Sequence, residues 1–346
     1  MSAKGPWPMI RRSFIAAGLA APLAASAKPV RIGFLGASHS HGAGKIRVST
    51  ESPDLEIAGL WDDAAEVRAK YESQGLAIRE PDQLLRDPSI DVIAVEGPVA
   101  DHARDGLRVV EAGKHLHLEK PPALDVESLR NILSAARSQG LVVQQGYMWR
   151  YHPGFDRMLE AARRGWLGDI HLVQAAIHKT LAPAARAPWA QFRGGQMFEL
   201  GPHVIDPLVR LLGRPNRITP YLNKHGEFDD TLADNTLAVF EYSGALGIVT
   251  GAALAANGSR YRSFEVHGTN GVATLRPIEA PRLVFDLAEA AGPYPKGPHR
   301  VELPPYRRYV GDMAALARAV RGEEPLHVSF DEDIVVQEAL IKASGM

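Results

Sequence analysis

The chain has 346 residues, 45 % of them apolar and 23 % charged, which is enough for a substantial core and suggests two domains. Its formal net charge is −1, and it contains no long block of like charges, so a nucleic-acid or anionic-membrane partner has no electrostatic support. Cysteine is absent, which excludes disulfides, a thiolate metal site and a cysteine nucleophile.

Residues 1–27 resemble a twin-arginine export signal. Arg11 and Arg12 precede Ser13-Phe14-Ile15, a short apolar run at 16–24 and the small residues 25–27. A charged start, a short hydrophobic segment and a small-residue cleavage site are typical of such signals. The run is too short for a stable membrane anchor, and no other stretch is long and apolar enough to be one. We therefore expect cleavage near Ala27, a periplasmic location and no stable membrane anchor.

Strands and helices alternate regularly from residue 28 to 145. Apolar runs predict strands at 29–35, 55–61, 91–95, 115–120 and 141–145. Helical stretches lie between them at 64–74, 81–87, 102–112 and 126–139, after a first helix-like stretch that follows residue 42. This alternation predicts an α/β domain with a parallel sheet and helices on both faces.

The pattern changes after residue 146. Alternating segments at 170–178, 235–242, 246–254, 262–268 and 272–276 predict an open, largely antiparallel sheet. Thr269-Asn270-Gly271 supplies a hairpin turn, and the stretch 291–305 is expected to be irregular. Helices are predicted at 154–164, 310–321 and 331–344. Residues 146–346 are therefore expected to form a second, α+β domain.

The run His115-Leu116-His117-Leu118-Glu119-Lys120 is predicted to be a strand that ends in a lysine. Two prolines follow, and a residue before proline is held in extended geometry. In an open α/β sheet, ligands lie beyond the carboxyl ends of the strands, where such a lysine would project. A surface lysine at a strand corner is the alternative interpretation.

The first predicted strand runs into Gly36-Ala37-Ser38-His39-Ser40-His41, where a dinucleotide-binding fold carries three glycines. Those glycines allow a tight turn, a close approach of the backbone to a diphosphate, and close packing of helix on strand. Gly36 keeps the first role, Ser38 replaces the second glycine with a hydroxyl donor, and His41 replaces the third. A strand–turn–helix that binds no nucleotide remains the alternative.

Asp62 ends the second predicted strand. An acid there accepts hydrogen bonds from ribose hydroxyls and repels a 2′-phosphate, which favours NAD over NADP. Capping of the next helix is the alternative. His39 and His41 form a His-x-His pair, but no carboxylate or third histidine lies nearby in sequence, so no metal site is expected.

The chain resembles the Gfo/Idh/MocA oxidoreductases over about residues 29–340. The glycine loop and Asp62 carry this resemblance, together with 112–115, Glu119-Lys120-Pro121, 146–150, 167–170 and 194–206. The resemblance implies an N-terminal Rossmann domain at 28–145, an open C-terminal sheet whose face often serves oligomerisation, and NAD or NADP between the two domains. A homo-oligomer that forms through this sheet is therefore expected.

The resemblance also assigns residues. Lys120 matches the active-site lysine, His203 the histidine beside it, and Glu199 an acid that is aspartate in many relatives. Tyr147 and Arg150 match positions that line the cleft, and with Trp149 and His203 they are the expected substrate contacts. Separately from the resemblance, the aromatic faces of Trp149, Trp189 and Tyr151 suit the C–H surface of a sugar ring, and a place in the core is the alternative for them. The expected cofactor contacts are Gly36, Ser38, His39, His41, Asp62, Glu96, Pro98, His102, Glu119 and Lys120. Glu96-Gly97-Pro98 departs from the usual Thr-Pro-Asn.

Oxidation of a sugar alcohol needs a base within hydrogen-bond reach of the hydroxyl. Lys120 is the expected base, His203 a proton relay, and Glu199 the group that orients the imidazole. Asp206 precedes Pro207 and is expected to be a plain helix N-cap.

These expectations describe a periplasmic, NAD(P)-dependent sugar or polyol oxidoreductase that holds its cofactor tightly. Two alternatives stay open: a glycosidase or epimerase that uses the cofactor as an internal hydride store, and a non-catalytic sugar-binding relative.

Overall fold

The computed structural model describes residues 28–346, so the expected export signal at 1–27 lies outside the described residues. Among residues 28–346, no helix is both long enough and apolar enough to cross a membrane.

The N-terminal domain contains a five-stranded, fully parallel sheet in the order β2-β1-β3-β4-β5. The strands are β1 (Val30–Leu35), β2 (Leu55–Trp61), β3 (Val92–Val95), β4 (His115–Leu118) and β5 (Val143–Gln145). The helices are α1 (Gly42–Glu51), α2 (Ala65–Glu72), α3 (Pro81–Arg86), α4 (His102–Glu111) and α5 (Val126–Ser138). Separate apolar clusters cover the two faces of the sheet, with Phe34 in one and Leu116 in the other. The predicted Rossmann-like domain is confirmed.

The C-terminal domain is built on an eight-stranded sheet in the order β13-β12-β11-β10-β6-β9-β8-β7. Its strands are β6 (Ile170–Ala176), β7 (Arg217–Asn223), β8 (Asn235–Glu241), β9 (Leu246–Ala252), β10 (Ser263–Gly268), β11 (Gly271–Leu275), β12 (Leu283–Leu287) and β13 (Gly297–Val301). All neighbours are antiparallel except β6 and β9, which pair in parallel. The predicted, largely antiparallel sheet is confirmed.

Six α-helices of the described chain belong to this second domain: α6 (Pro153–Arg163), α7 (Ala187–Ala190), α8 (Gly195–Leu200), α9 (Pro202–Leu212), α10 (Val310–Val320) and α11 (Phe330–Ala343). One continuous apolar cluster joins Phe34 of the first sheet to Phe240 and Leu340 of the second domain. The shared core fixes the position of one domain against the other, and with it the geometry of the cleft between them.

Several details differ from the sequence-based expectations. The edge strand β7 was not predicted. It carries Pro220, a residue that sheets tolerate at an edge but that weakens the pattern from which a strand is predicted. The opposite edge, β13, lies in the Pro- and Gly-rich stretch that was expected to be irregular. Asp206 lies inside α9 rather than at its N-cap, because the helix already begins at Pro202, so that expectation is wrong.

Candidate active site

A cavity of about 610 Å³ lies at the carboxyl edge of the parallel sheet, between the two domains. Loops that follow β1, β3 and β4 form one part of its wall, and α8, α9 and loops of the second domain form the rest. Its lining includes Ser38, His41, Pro98, Lys120, Glu199 and His203. The sheet edge therefore presents the expected lysine to a cavity, as the open α/β architecture predicts.

Lys120 is 2 % exposed, and its Nζ donates to the main-chain oxygen of Glu199 at 2.9 Å. The same Nζ lies 3.7 Å from Glu199 Oε2. Burial raises the pKa of the Glu199 carboxyl, and the Lys120 ammonium opposes part of that rise. The side chain that follows β4 is thus fixed by α8 rather than directed into open solvent.

His203 is 1 % exposed, and neither ring nitrogen has a hydrogen-bond partner among the described residues. Burial lowers the pKa of this imidazole well below its usual value, and the charge of Lys120 lowers it further. The expectation that Glu199 orients this ring is wrong, because the carboxylate lies beside Lys120 Nζ and no hydrogen bond joins it to His203. Buried ring nitrogens without partners are costly, and a bound ligand would satisfy them.

The loop after β1 turns at Gly36, which has φ +88°. A Cβ at this position would lie 2.2 Å from the main-chain nitrogen of Gly97, so only glycine fits. Asp62 Oδ2 accepts hydrogen bonds from the main-chain nitrogens of Ala37 at 2.7 Å and Ser38 at 2.9 Å. Asp62 Oδ1 accepts from the Ala64 nitrogen at 2.9 Å, so this acid ties the loop to the segment that leads into α2. A ribose contact of Asp62 stays a prediction.

A second cavity of about 230 Å³ lies beside Asp62 and shares Ser38, Gly97 and Pro98 with the first. A Cβ on Gly97 would meet nothing nearer than 3.8 Å, so the backbone here faces open space. The two cavities adjoin at Ser38, Gly97 and Pro98 and are together called the groove. This shape fits an elongated ligand with a ring system at each end, as a dinucleotide has.

A buried ion cluster lies behind the loop. Lys45 Nζ donates to Glu96 Oε1 at 2.6 Å and contacts the Glu119 carboxylate. Glu119 Oε1 accepts from the Lys120 main-chain nitrogen at 2.8 Å and lies 3.0 Å from His41 Nδ1. Burial raises the pKa of Glu119, but Lys45 and then His41 outweigh it, so the pKa lies well below its usual value. The residues that depart from the usual loop pattern, Glu96 and His41, therefore belong to one network.

Three expected cofactor contacts do not reach the groove. Glu96 and Glu119 are fully buried in the ion cluster. His102 is fully buried as well, with Nδ1 2.8 Å from the Pro121 oxygen and Nε2 3.0 Å from the Gly97 oxygen. These three side chains support the loops from behind, so direct contact with a cofactor is the wrong role for them. Ser38, His39, His41, Pro98 and Lys120 do line the groove.

No metal site was expected, because no carboxylate or third histidine lies near His39 and His41 in the sequence. The structure brings Glu119, distant in sequence, to His39 and His41, and one ligand atom from each lies within 4.8 Å of the others. Glu96, His117 and Glu119 form a second such group. Lys45 already neutralises Glu119 in both groups, which makes a cation there less favourable.

Tyr147, Trp149 and Arg150 are buried and do not line the cavity, so their expected role in lining it is wrong. Arg150 is 4 % exposed and donates to Asp206 Oδ1 at 2.7 Å and Asp333 Oδ1 at 2.6 Å. The Tyr147 ring lies 4.5 Å from the Arg150 guanidinium, and Trp149 packs into the shared core. Arg150 is buried because it pairs with Asp206 of α9 and Asp333 of α11, and the sequence near Arg150 does not indicate this pairing.

The cavity wall also contains residues that sequence reasoning missed. Lys179, Arg262 and Arg308 line it beside Trp189, which was expected to stack on a sugar ring. These three cations come from separate loops and strand ends of the second domain, and no short motif marks them. Only the tertiary fold brings them together.

Comparisons with known proteins agree with this geometry. Residues 30–147 match a family model described as "Oxidoreductase family, NAD-binding Rossmann fold". Residues 155–274 match a model described as "GFO/IDH/MocA C-terminal domain".

Individual relatives are distant. An uncharacterized oxidoreductase, ORF334 of Rhizobium meliloti, is 23 % identical over 322 residues, which are 90 % of this chain and 95 % of that protein. The scyllo-inositol 2-dehydrogenase (NADP(+)) IolW of Bacillus subtilis (strain 168) is 27 % identical over 55 % of this chain, which spans about half of that enzyme (53 %). A levoglucosan dehydrogenase, solved with NADH and levoglucosan, shares the fold with a TM-score of 0.79 at 18 % identity, over 92 % of this chain and 98 % of that one.

Proposed function

The chain belongs to the GFO/IDH/MocA family of nicotinamide-dependent oxidoreductases, and we propose that it transfers a hydride between a hydroxyl-bearing carbon of a sugar or polyol and a tightly held NAD(P). One observation carries this proposal: Lys120 lines the larger of two cavities that adjoin at the loops after β1 and β3. A reacting carbon bound beside Lys120 would lie next to a cofactor that extends from one cavity into the other.

Residues of both cavities would hold the cofactor. The backbone at Gly36, Ser38 and Gly97 leaves room for a diphosphate, and Pro98 borders both cavities. Bound NAD(P) supplies the hydride acceptor or donor. Asp62, Asp63, Asp101 and Asp105 line the smaller cavity against only two arginines, Arg104 and Arg108. The excess of carboxylates disfavours a 2′-phosphate, and we therefore propose NAD over NADP.

Two groups in the wider cavity are suited to move a proton. Lys120 Nζ makes one hydrogen bond, to the Glu199 main-chain oxygen, so it can form a further hydrogen bond with a substrate oxygen. His203, with its lowered pKa, is a neutral imidazole that can accept or return that proton. Glu199 acts as a positioning residue through its contacts with Lys120.

The substrate class is argued from the wall of the cavity and from the relatives. Trp189 offers an aromatic face that suits the C–H surface of a sugar ring. The named activities of two relatives, a scyllo-inositol 2-dehydrogenase and a levoglucosan dehydrogenase, concern polyhydroxylated rings. Both points support a sugar or polyol.

Export and assembly belong to the same proposal. The Arg11-Arg12 segment supports passage through the twin-arginine pathway to the periplasm, with cleavage near Ala27.

The open face of the second sheet exposes Tyr221 by 53 % and Leu246 by 46 %, which supports a homo-oligomer through this face. Cell fractionation and light scattering of the purified protein test these two points.

The function is tested by the cofactor content of the purified protein. We expect denaturation to release about one nicotinamide dinucleotide per chain, and the emptied protein to rebind NADH with quenching of its tryptophan fluorescence. A panel of sugars and polyols then identifies the substrate from the formation of reduced cofactor. Failure to bind either NADH or NADPH at millimolar concentration would overturn the proposal.

A further inference from the structure

We propose that the substrate carries an anionic group, a carboxylate or a phosphate, which Lys179, Arg262 and Arg308 bind at the end of the cavity formed by the second domain. This inference rests on the proposed function and narrows its substrate class.

Three cations from separate elements converge on one wall. Lys179 follows β6, Arg262 immediately precedes β10, and Arg308 lies just before α10. All three line the same cavity as Lys120 and His203. The fold thus places three positive side chains around the space where a substrate would lie.

The carboxylates of the described residues do not balance this charge. Glu279 Oε2 lies 3.2 Å from Arg262 Nη1, and the same Glu279 also pairs with Arg308. One carboxylate therefore serves two guanidinium groups. Lys179 has no ion-pair partner in residues 28–346, and its Nζ lies 5.0 Å from the centre of the Trp189 ring. The nearby Lys120 is matched by Glu199, so the excess positive charge remains on the other three side chains.

Burial makes this excess costly. Arg262 is 6 % exposed, and burial together with the charge of Arg308 lowers the pKa of its guanidinium to about 10. Burial also lowers the pKa of Lys179, and the charge of Arg262 adds to this effect. Repulsion among partly desolvated cations is relieved when an anion binds between them. A planar carboxylate or a phosphate can accept paired hydrogen bonds from a guanidinium, which a neutral hydroxyl cannot match.

Arg262 is held in place for this role. Its Nε donates to the His178 main-chain oxygen at 3.1 Å, and its Nη1 donates to Glu279. Its Nη2 makes no hydrogen bond to the described part of the chain. The guanidinium is therefore oriented by two partners and keeps one nitrogen available for a ligand.

The test compares charged and uncharged forms of one sugar. Calorimetry measures the binding of glucuronate, glucose 6-phosphate, glucuronamide and glucose to the NADH-loaded protein. We expect at least one of the two anions to bind about 10- to 100-fold more tightly than its uncharged counterpart, as charge-assisted hydrogen bonds predict. The two anions distinguish a sugar acid from a sugar phosphate. Equal affinities for charged and uncharged forms, or no binding of either anion, would overturn the inference.

Variants locate the effect. Lys179→Gln and Arg308→Gln are expected to remove most of the preference for the anion. Arg307→Gln is the matched control, because Arg307 is an exposed neighbour that pairs with Glu51 outside the cavity. NADH affinity is measured in parallel for every variant. Loss of NADH binding in Lys179→Gln and Arg308→Gln would assign these cations to the cofactor and overturn the inference, whereas a wild-type protein without NADH binding would refute the proposed function itself.

Discussion

The Lys120 ammonium is held by Glu199 through two different atoms, the main-chain oxygen at 2.9 Å and the carboxylate at 3.7 Å. The first contact depends only on the path of α8, and the second depends on the charge of the side chain. The position of Lys120 in the cavity is therefore largely a property of the backbone, while its electrostatic environment depends on the Glu199 carboxylate.

Glu199→Gln separates these two contributions. The variant keeps the main-chain contact but removes the negative charge of the ion pair, so we expect kcat/KM to fall by about tenfold, which corresponds to about 1.4 kcal/mol. Burial raises the pKa of Glu199, so in the wild type this carboxylate becomes protonated as the pH falls through a range above its ordinary value. We expect the wild-type rate to decline in that range and the variant to lack the decline. Identical pH profiles would show that the carboxylate has no such role.

Gly36→Ala tests the close approach of the two loops. The added Cβ would clash with the Gly97 backbone, and the positive φ adds about 1–2 kcal/mol of strain. Gly75→Ala is the matched control, because Gly75 has φ +85° but no atom within 4 Å of the added Cβ. We expect Gly36→Ala to lower both the melting temperature and NADH affinity, and Gly75→Ala to lower only the melting temperature, by less. Equal losses in the two variants would contradict the crowding argument.

Arg150→Met tests the buried ion triad. The change leaves Asp206 and Asp333 without their shared cation, which is expected to reduce the free energy of unfolding by about 3–5 kcal/mol. Arg137→Met removes an exposed pair with Asp331 and is expected to cost about 0–1 kcal/mol. Chemical denaturation measures both. A small loss in Arg150→Met would mean that the triad is not a structural element of the core.

Asp312→Asn tests a buried acid beside the ion cluster. Burial raises the pKa of Asp312 to about 8, with Lys45 opposing and Glu119 adding to the rise. In the unfolded chain an aspartate has a pKa of about 3.9, so between about pH 4 and 8 the folded state holds a proton that the unfolded state releases. The contribution of Asp312 to the stability of the folded state should therefore fall as the pH rises through this range.

Asp312→Asn removes this contribution, so we expect the free energy of unfolding of the variant, relative to the wild type, to rise from pH 5 to pH 8. Asp331→Asn, at an exposed position, should show no such change relative to the wild type. Denaturation at pH 5 and pH 8 compares the three proteins. A difference between Asp312→Asn and the wild type that stays the same at both pH values would contradict the assigned protonation of Asp312.

Local sequence signals were sufficient for the architecture. Alternation of apolar residues located the parallel strands, and the Lys120-Pro121 corner located the edge at which the cavity lies. The edge strands were harder, because Pro220 in β7 and the glycine- and proline-rich surroundings of β13 weaken the pattern on which prediction depends.

Residues whose roles depend on distant partners could not be assigned from the sequence. Lys45 of α1 contacts Glu96 and Glu119 only in the folded protein, where the ends of β3 and β4 lie beside α1. The resemblance placed Arg150 in the cleft, and its pairing with Asp333 could not be predicted because 183 positions separate the two residues. The cations of the cavity were missed for the same reason, since nothing in the sequence around Lys179 relates it to Arg262.

The most direct test of the account is a single-turnover experiment on NAD-loaded protein, in which a substrate identified by the sugar panel is mixed in and the absorbance of reduced nicotinamide is followed. The account predicts a rise in absorbance for the wild type and, for Lys120→Ala with unchanged NAD affinity, a rise slower by about 10²–10⁴-fold, the usual contribution of a positioned acid–base group. Equal rates in the two proteins would contradict the claim that Lys120 exchanges the substrate proton in this cavity.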